Sequence, residues 1–130
     1  MALAQGFHHV ALKVPADQFD RSAALYQALG GVVVNAWGEN EKRALMIDMG
    51  GSCVELFASG TEQAEENARF AHLCLRTPDV QAAYDAALAA GAQAHRAPRE
   101  MVLGELNPTK VCNAFVIGFG EESIEFFDEI

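Results

Sequence analysis

The sequence predicts an α+β fold built from two copies of a strand-helix-three-strand module. Three observations predict it. Residues 7 to 15 read Phe7-His-His-Val-Ala-Leu-Lys-Val-Pro, and residues 70 to 78 read Phe70-Ala-His-Leu-Cys-Leu-Arg-Thr-Pro. These segments agree in type at seven of nine positions, too many for unrelated strands, and such self-similarity marks a repeated structural unit. The closing strands also match, Cys53-Val-Glu-Leu-Phe against Ser123-Ile-Glu-Phe-Phe. Finally, an Ala-rich stretch with helical spacing follows each opening strand.

The elements are assigned in order. The first helix is expected from about Asp17 to Leu29, ending at Gly30-Gly31, with Leu25 and Leu29 at i, i+4 spacing. The second is expected from about Asp79 to Ala90, ending at Gly91, with Tyr84 and Leu88 so spaced. Asp at the start and Gly past the end supply cap chemistry in both. In the first half, strands are expected over Val32–Trp37, Arg43–Met49 and Ser52–Ala58, with Gly50-Gly51 turning a hairpin. In the second half they are expected over Ala92–Ala97, Lys110–Gly118 and Glu122–Asp128. The second module carries seven extra residues, placed most simply in the loop from Arg99 to Thr109. One domain of 130 residues is expected, with module 1 at about 6–59, a polar linker at 60–68 and module 2 at about 69–130.

Composition narrows the function classes. Hydrophobic residues make up 51% of the chain, enough for a core, so disorder is excluded as the main state. Nine basic against eighteen acidic residues give a net charge of −9, which repels phosphate backbones and argues against nucleic acid as a partner. No apolar run approaches the ~20 residues of a membrane helix. The N-terminal residues carry no basic n-region or signal-length apolar stretch. Cys53, Cys74 and Cys112 are odd in number and lack metal-knuckle spacing. They read as reduced thiols, and a cytoplasmic protein is expected.

Alternation along the strands places four polar residues. Val10, Leu12 and Val14 form a helix-facing side, and His9 lies on the other. His72 has the same place on the matching strand. Val54 and Leu56, and again Ile124 and Phe126, face the core, so Glu55 and Glu125 point away. Two imidazoles and two carboxylates on one face suit a divalent metal such as Zn, Ni, Mn or Fe(II). A lone His or Glu would be read as structural, but the same pair at both repeat positions raises the metal reading. Lys13 and Arg76 each follow a His by four residues on the same face. They either contact an anionic substrate or are strand-end charges facing water. Phe57 and Phe127 either line a cavity or belong to the core. The apolar residues of 99–109 either cap a ligand cavity or pack on a subunit or sheet edge. His8 falls on the opposite face from His9 and reads as a structural residue with a hydrogen bond, while His95 reads as exposed. Cys53 and Cys74 read as small packing residues.

The motifs His9-Val-Ala-Leu-Lys-Val, Val54-Glu-Leu-Phe, Phe70-Ala-His-Leu-Cys-Leu and Ser123-Ile-Glu-Phe-Phe resemble those of the vicinal oxygen chelate superfamily, which includes glyoxalase I, bleomycin-resistance proteins and dioxygenases. The resemblance runs from Phe7 to Phe127. It implies a glyoxalase-like fold with curved mixed sheets around one divalent metal, and His9, Glu55, His72 and Glu125 as its ligands. It further implies a lyase or isomerase of the lactoylglutathione lyase type that moves a proton next to a carbonyl through an enediolate. Glu125, with Glu55 as counterpart, would be ligand and base in turn. Lys13 stands where many bacterial relatives carry an Arg that contacts glutathione. Three alternatives accompany this reading: a methylmalonyl-CoA epimerase-like enzyme, whose family commonly has Gln at one ligand position; a dioxygenase or fosfomycin-modifying enzyme with a His, His, Glu set; and a metal-free ligand-binding protein of the bleomycin-resistance type. A small-molecule substrate and a homodimer are expected in the enzyme readings.

Overall fold

The computed structural model describes residues 2–60, 70–119 and 123–130. Its elements follow the order strand β1 (Phe7–Pro15), helix α1 (Phe19–Ala28), strands β2 (Val32–Trp37), β3 (Ala44–Asp48) and β4 (Cys53–Gly60), then strand β5 (Phe70–Arg76), helix α2 (Val80–Ala89), and strands β6 (Gln93–Leu103), β7 (Thr109–Ile117) and β8 (Ser123–Glu129). The β-α-β-β-β pattern thus occurs twice. The chain divides into two compact units. The first holds His9–Ala71 and Gly104–Pro108; the second holds Met1–His8, His72–Leu103 and Thr109–Ile130.

In the first unit the strand order is β2-β3-β4-β1. β3 and β4 form the expected hairpin, with Asp48 opposite Cys53. Gly50 and Gly51 both take left-handed φ, at 109° and 106°, which a side chain would resist. The Asp48 carboxylate accepts from both of their N–H groups at 2.9 Å. Those two bonds, Gly51 first, hold the Asp48 carboxyl below its usual pKa. β1 lies parallel to β4. Helix α1 presses Phe19 and Ala23 onto Ile47, Leu56 and Ala58, and Leu12, Val14 and Val54 pack on the same core.

Two expectations for α1 need correction. Pro15 starts a 3-10 turn over Ala16–Gln18, so Asp17 lies inside that turn, and Gln18 at the helix start makes no side-chain cap bond. The core-facing stripe is Phe19 and Ala23, both buried, with Tyr26 partly buried, whereas Leu25 and Leu29 are exposed. Phe19 sets the phase, because i, i+4 and i+7 from it share one face.

In the second unit the order is β5-β8-β7-β6, with β5 parallel to β8 and the remaining pairs antiparallel. α2 buries Val80, Ala83 and Tyr84 against Ala114, Val116 and Phe126, and Leu88 packs beside them as the spacing predicts. The Asp79 carboxylate accepts from Ala82 N–H at 3.0 Å, the predicted cap. Asp79→Ala is expected to cost about 1 kcal/mol, read as a lower urea midpoint with an unchanged slope. The N-terminal residues join this unit: Leu3 packs on its core, and Gln5 N and Gly6 O bond to the Arg76 backbone at 2.7 and 2.8 Å.

The expected loop 99–109 is mostly strand. β6 runs on to Leu103, and only 104–108 leaves the ladder. That short segment is held by β2 of the first unit. Glu105 N and Leu106 N both donate to Ala36 O at 3.0 Å. Asn35, buried on β2, donates to Asn107 O at 2.9 Å and accepts from Asn107 N at 3.1 Å. The Gly38 N–H donates to Glu105 Oε1 at 2.6 Å. Gly104 has φ +90°, and a Cβ there would collide with the Asn35 amide. The linker acids Glu62, Glu65 and Glu66, and residues 120–122, lie outside the described residues. No helix among the described residues is long and apolar enough to cross a membrane.

Candidate metal centre

Each unit holds one His–Glu pair, built the same way. In the first, β1 and β4 run parallel with Ala11 beside Glu55 and His9 beside Cys53. His9 and Ala11 share a face, and so do Cys53 and Glu55. That register brings His9 Nε2 to 3.3 Å from Glu55 Oε1, with both side chains buried. The contact has ion-pair distance without hydrogen-bond geometry at that oxygen. In the second unit, Cys74 lies beside Glu125, and His72 Nε2 stands 3.0 Å from Glu125 Oε1. The His72 ring meets the Phe115 ring edge-on at 5.6 Å. Phe115 is the cross-strand partner of Glu125 and fills the space beside the pair.

The donor chemistry fits a divalent ion. With metal–ligand bonds of about 2.0–2.2 Å, neighbouring donors on one ion stand about 3.0 Å apart in an octahedron and about 3.4 Å in a tetrahedron. The two observed separations lie in that range. An ordinary buried ion pair has the same spacing, so metal binding itself must separate the two.

The other predicted residues separate by burial. Phe127 is core: it clusters with Cys74 and Val111 and lies 4.1 Å from the His8 ring. Phe57 is half-buried, edge-on to Trp37 at 6.5 Å. Lys13 is exposed on β1. Arg76 is half-buried and lines a pocket with His8, Phe127, Asp128 and Glu129, so Phe127 belongs to both the core and a cavity wall. His8 bonds Glu129 Oε1 through Nε2 at 3.1 Å, the structural bond expected of it, and His95 is exposed. The three cysteines form no disulfide. Burial, then the Glu100 and Asp128 carboxylates, push the Cys112 thiol up, which keeps it protonated at neutral pH and unsuited to attack.

Sequence reasoning misses two residues. Asn113 is buried on β7 and donates from Nδ2 to Glu125 Oε2 at 2.9 Å. Asn35 clamps 104–108. Both are amides within otherwise apolar strands, Val-Cys-Asn-Ala-Phe and Val-Val-Asn-Ala-Trp, and a polar residue there is the available signal.

The sequence profile of the Glyoxalase/Bleomycin resistance protein/Dioxygenase superfamily matches residues 6–108, and the chain belongs to that superfamily. Among solved structures, it is similar to methylmalonyl-CoA epimerase from Mycobacterium tuberculosis, with TM-score 0.70, 16% identity and coverage of 100% of this chain and 91% of that one. A methylmalonyl-CoA epimerase in complex with methylmalonyl-CoA and NH4+ gives TM-score 0.69 and 19% identity, covering 97% and 94%. A mutant 4-hydroxymandelate synthase from Streptomyces coelicolor gives TM-score 0.70 and 20% identity, covering 96% of this chain and 38% of that one. At these identities the likeness shows the fold. No curated protein matches the sequence.

Proposed function

We propose that the protein is a metal-dependent enzyme that moves a proton next to a carbonyl on a small chelating substrate. The observation that carries this reading is the pair of matched imidazole–carboxylate sets, His9 with Glu55 and His72 with Glu125. All four residues are proposed as ligands of one divalent ion, whether Zn, Ni, Mn or Fe. When bound, that ion supplies Lewis-acid stabilisation of the charge that develops on substrate oxygen as the C–H proton leaves. His9 and His72 hold, and Glu55 or Glu125 takes the proton from carbon and returns it. Lys13 and Arg76 supply cations for an anionic substrate. A homodimer is part of the proposal.

An epimerase of the methylmalonyl-CoA type is the leading form, because two such enzymes share the fold over nearly the whole chain. The specific observation favouring a glyoxalase I-type lyase is Glu55, which completes a His, Glu, His, Glu set.

Elemental analysis of the purified protein is expected to find about one divalent ion per chain. Reconstituted protein is then incubated in deuterated water with a 2-methyl-branched acyl thioester and, separately, with a hemithioacetal. Deuterium entering the thioester at the carbon next to the carbonyl supports the epimerase form. Conversion of the hemithioacetal to a thioester supports the lyase. Failure to take up any divalent ion overturns both and leaves a metal-free binding protein.

A further inference from the structure

The Glu125 carboxylate is engaged at both oxygens. Oε1 faces His72 Nε2 at 3.0 Å, and Oε2 accepts from Asn113 Nδ2 at 2.9 Å. A carboxylate only accepts, so the Asn113 amide must turn its NH2 toward it. The opposite end, Oδ1, is then buried with no hydrogen-bond partner among the described residues. Burying a carbonyl oxygen in this way costs stability, and a native protein that carries such a group calls for a reason. The fold does not supply one. Asn113 pairs with Phe127 across the strands, and the matching position in the first unit is Ala44, which pairs with Phe57. A small apolar residue therefore satisfies the module at that register.

We propose that Asn113 is a positioning residue. Its NH2 fixes the Glu125 carboxylate so that Oε1 is presented beside His72 and Oε2 is withheld. The orphaned Oδ1 is the cost of keeping that donor. The assignment deepens the reading of Glu125 as a metal ligand and rests on it.

The test compares wild type with Asn113→Leu, which keeps the branched skeleton, is bulkier and lacks the donor, and with Asn113→Thr, whose hydroxyl can donate. Manganese(II) affinity is read by paramagnetic resonance of the free ion, and ligand geometry by the visible absorption of cobalt(II) protein. Asn113→Leu is expected to bind manganese about 10- to 100-fold more weakly, the usual effect of losing a hydrogen bond to a ligand. Its cobalt spectrum is expected to shift, and Asn113→Thr to recover much of both. Wild-type affinity and spectrum in Asn113→Leu overturn the assignment. If Asn113→Leu does not fold, Asn113→Ala, which copies Ala44, carries the same comparison. Wild-type protein that binds neither ion overturns the metal reading. Asn113 is then judged by crystal structures of the metal-free proteins: Glu125 turned from His72 in the variant supports positioning, and an unmoved carboxylate overturns it.

Discussion

Replacing His72 with Ala is expected to abolish metal-dependent stabilisation, and His9→Ala to do the same. Each removes one of four proposed ligands. Loss of a ligand's supporting hydrogen bond alone costs about 10- to 100-fold in affinity, so loss of a ligand is expected to exceed that. The experiment must separate a ligand pair from a plain ion pair. Breaking a buried ion pair costs about 3–5 kcal/mol with or without metal. A ligand pair adds a further term: an ion at 100 times its Kd stabilises the folded state by about 2.7 kcal/mol. Melting temperatures with added manganese and with chelator should therefore differ in wild type and coincide in both variants. Equal metal-induced shifts in wild type and variants would sink the assignment. Because His72 is less buried than His9, its variant should keep more of its metal-free stability and give the cleaner reading.

The largest effect on stability is expected from Phe19→Ala. Phe19 is fully buried at the centre of the first unit's core, and the Arg43 guanidinium lies 4.6 Å from its ring centroid. Truncating such a side chain costs about 3–5 kcal/mol, lost transfer energy plus a cavity. The cation–π contact adds about 0.5–1 kcal/mol at a half-exposed arginine. Against a total stability of about 5–15 kcal/mol for a domain, that is a large share. Leu25→Ala, on the exposed side of the same helix, is the control and should stay within about 0.5 kcal/mol. Urea unfolding of the two variants checks both values, and equal midpoints would refute the assigned helix phase.

Much of the fold is legible because its signals are local and occur twice. Asp79, Gly91 and the Gly50-Gly51 turn each announce an element boundary through backbone chemistry. β6 is not legible in full. It is exposed along most of its length and carries Arg96, Pro98, Arg99 and Glu100, so it lacks the apolar alternation of a half-buried strand. Its register shifts between Arg96 and Arg99, where Pro98 cannot donate to the ladder. The phase of α1 is misread for a similar reason: Leu25 and Leu29 have the right spacing, but spacing alone does not say which stripe the sheet covers. The His–Glu pairs are legible only through the repeat. Asn113 and Asn35 stand out as polar residues in apolar strands, yet nothing in sequence says that one grips Glu125 and the other a segment about seventy residues away.

That last grip bears on how the chain is made. The first unit is completed by 104–108, and the second by the first eight residues. During synthesis the first unit therefore lacks 104–108 until after β5, α2 and β6 of the second unit have been made. Each unit is thus assembled from stretches that lie apart in sequence, so the order of synthesis does not complete one repeat before the other begins.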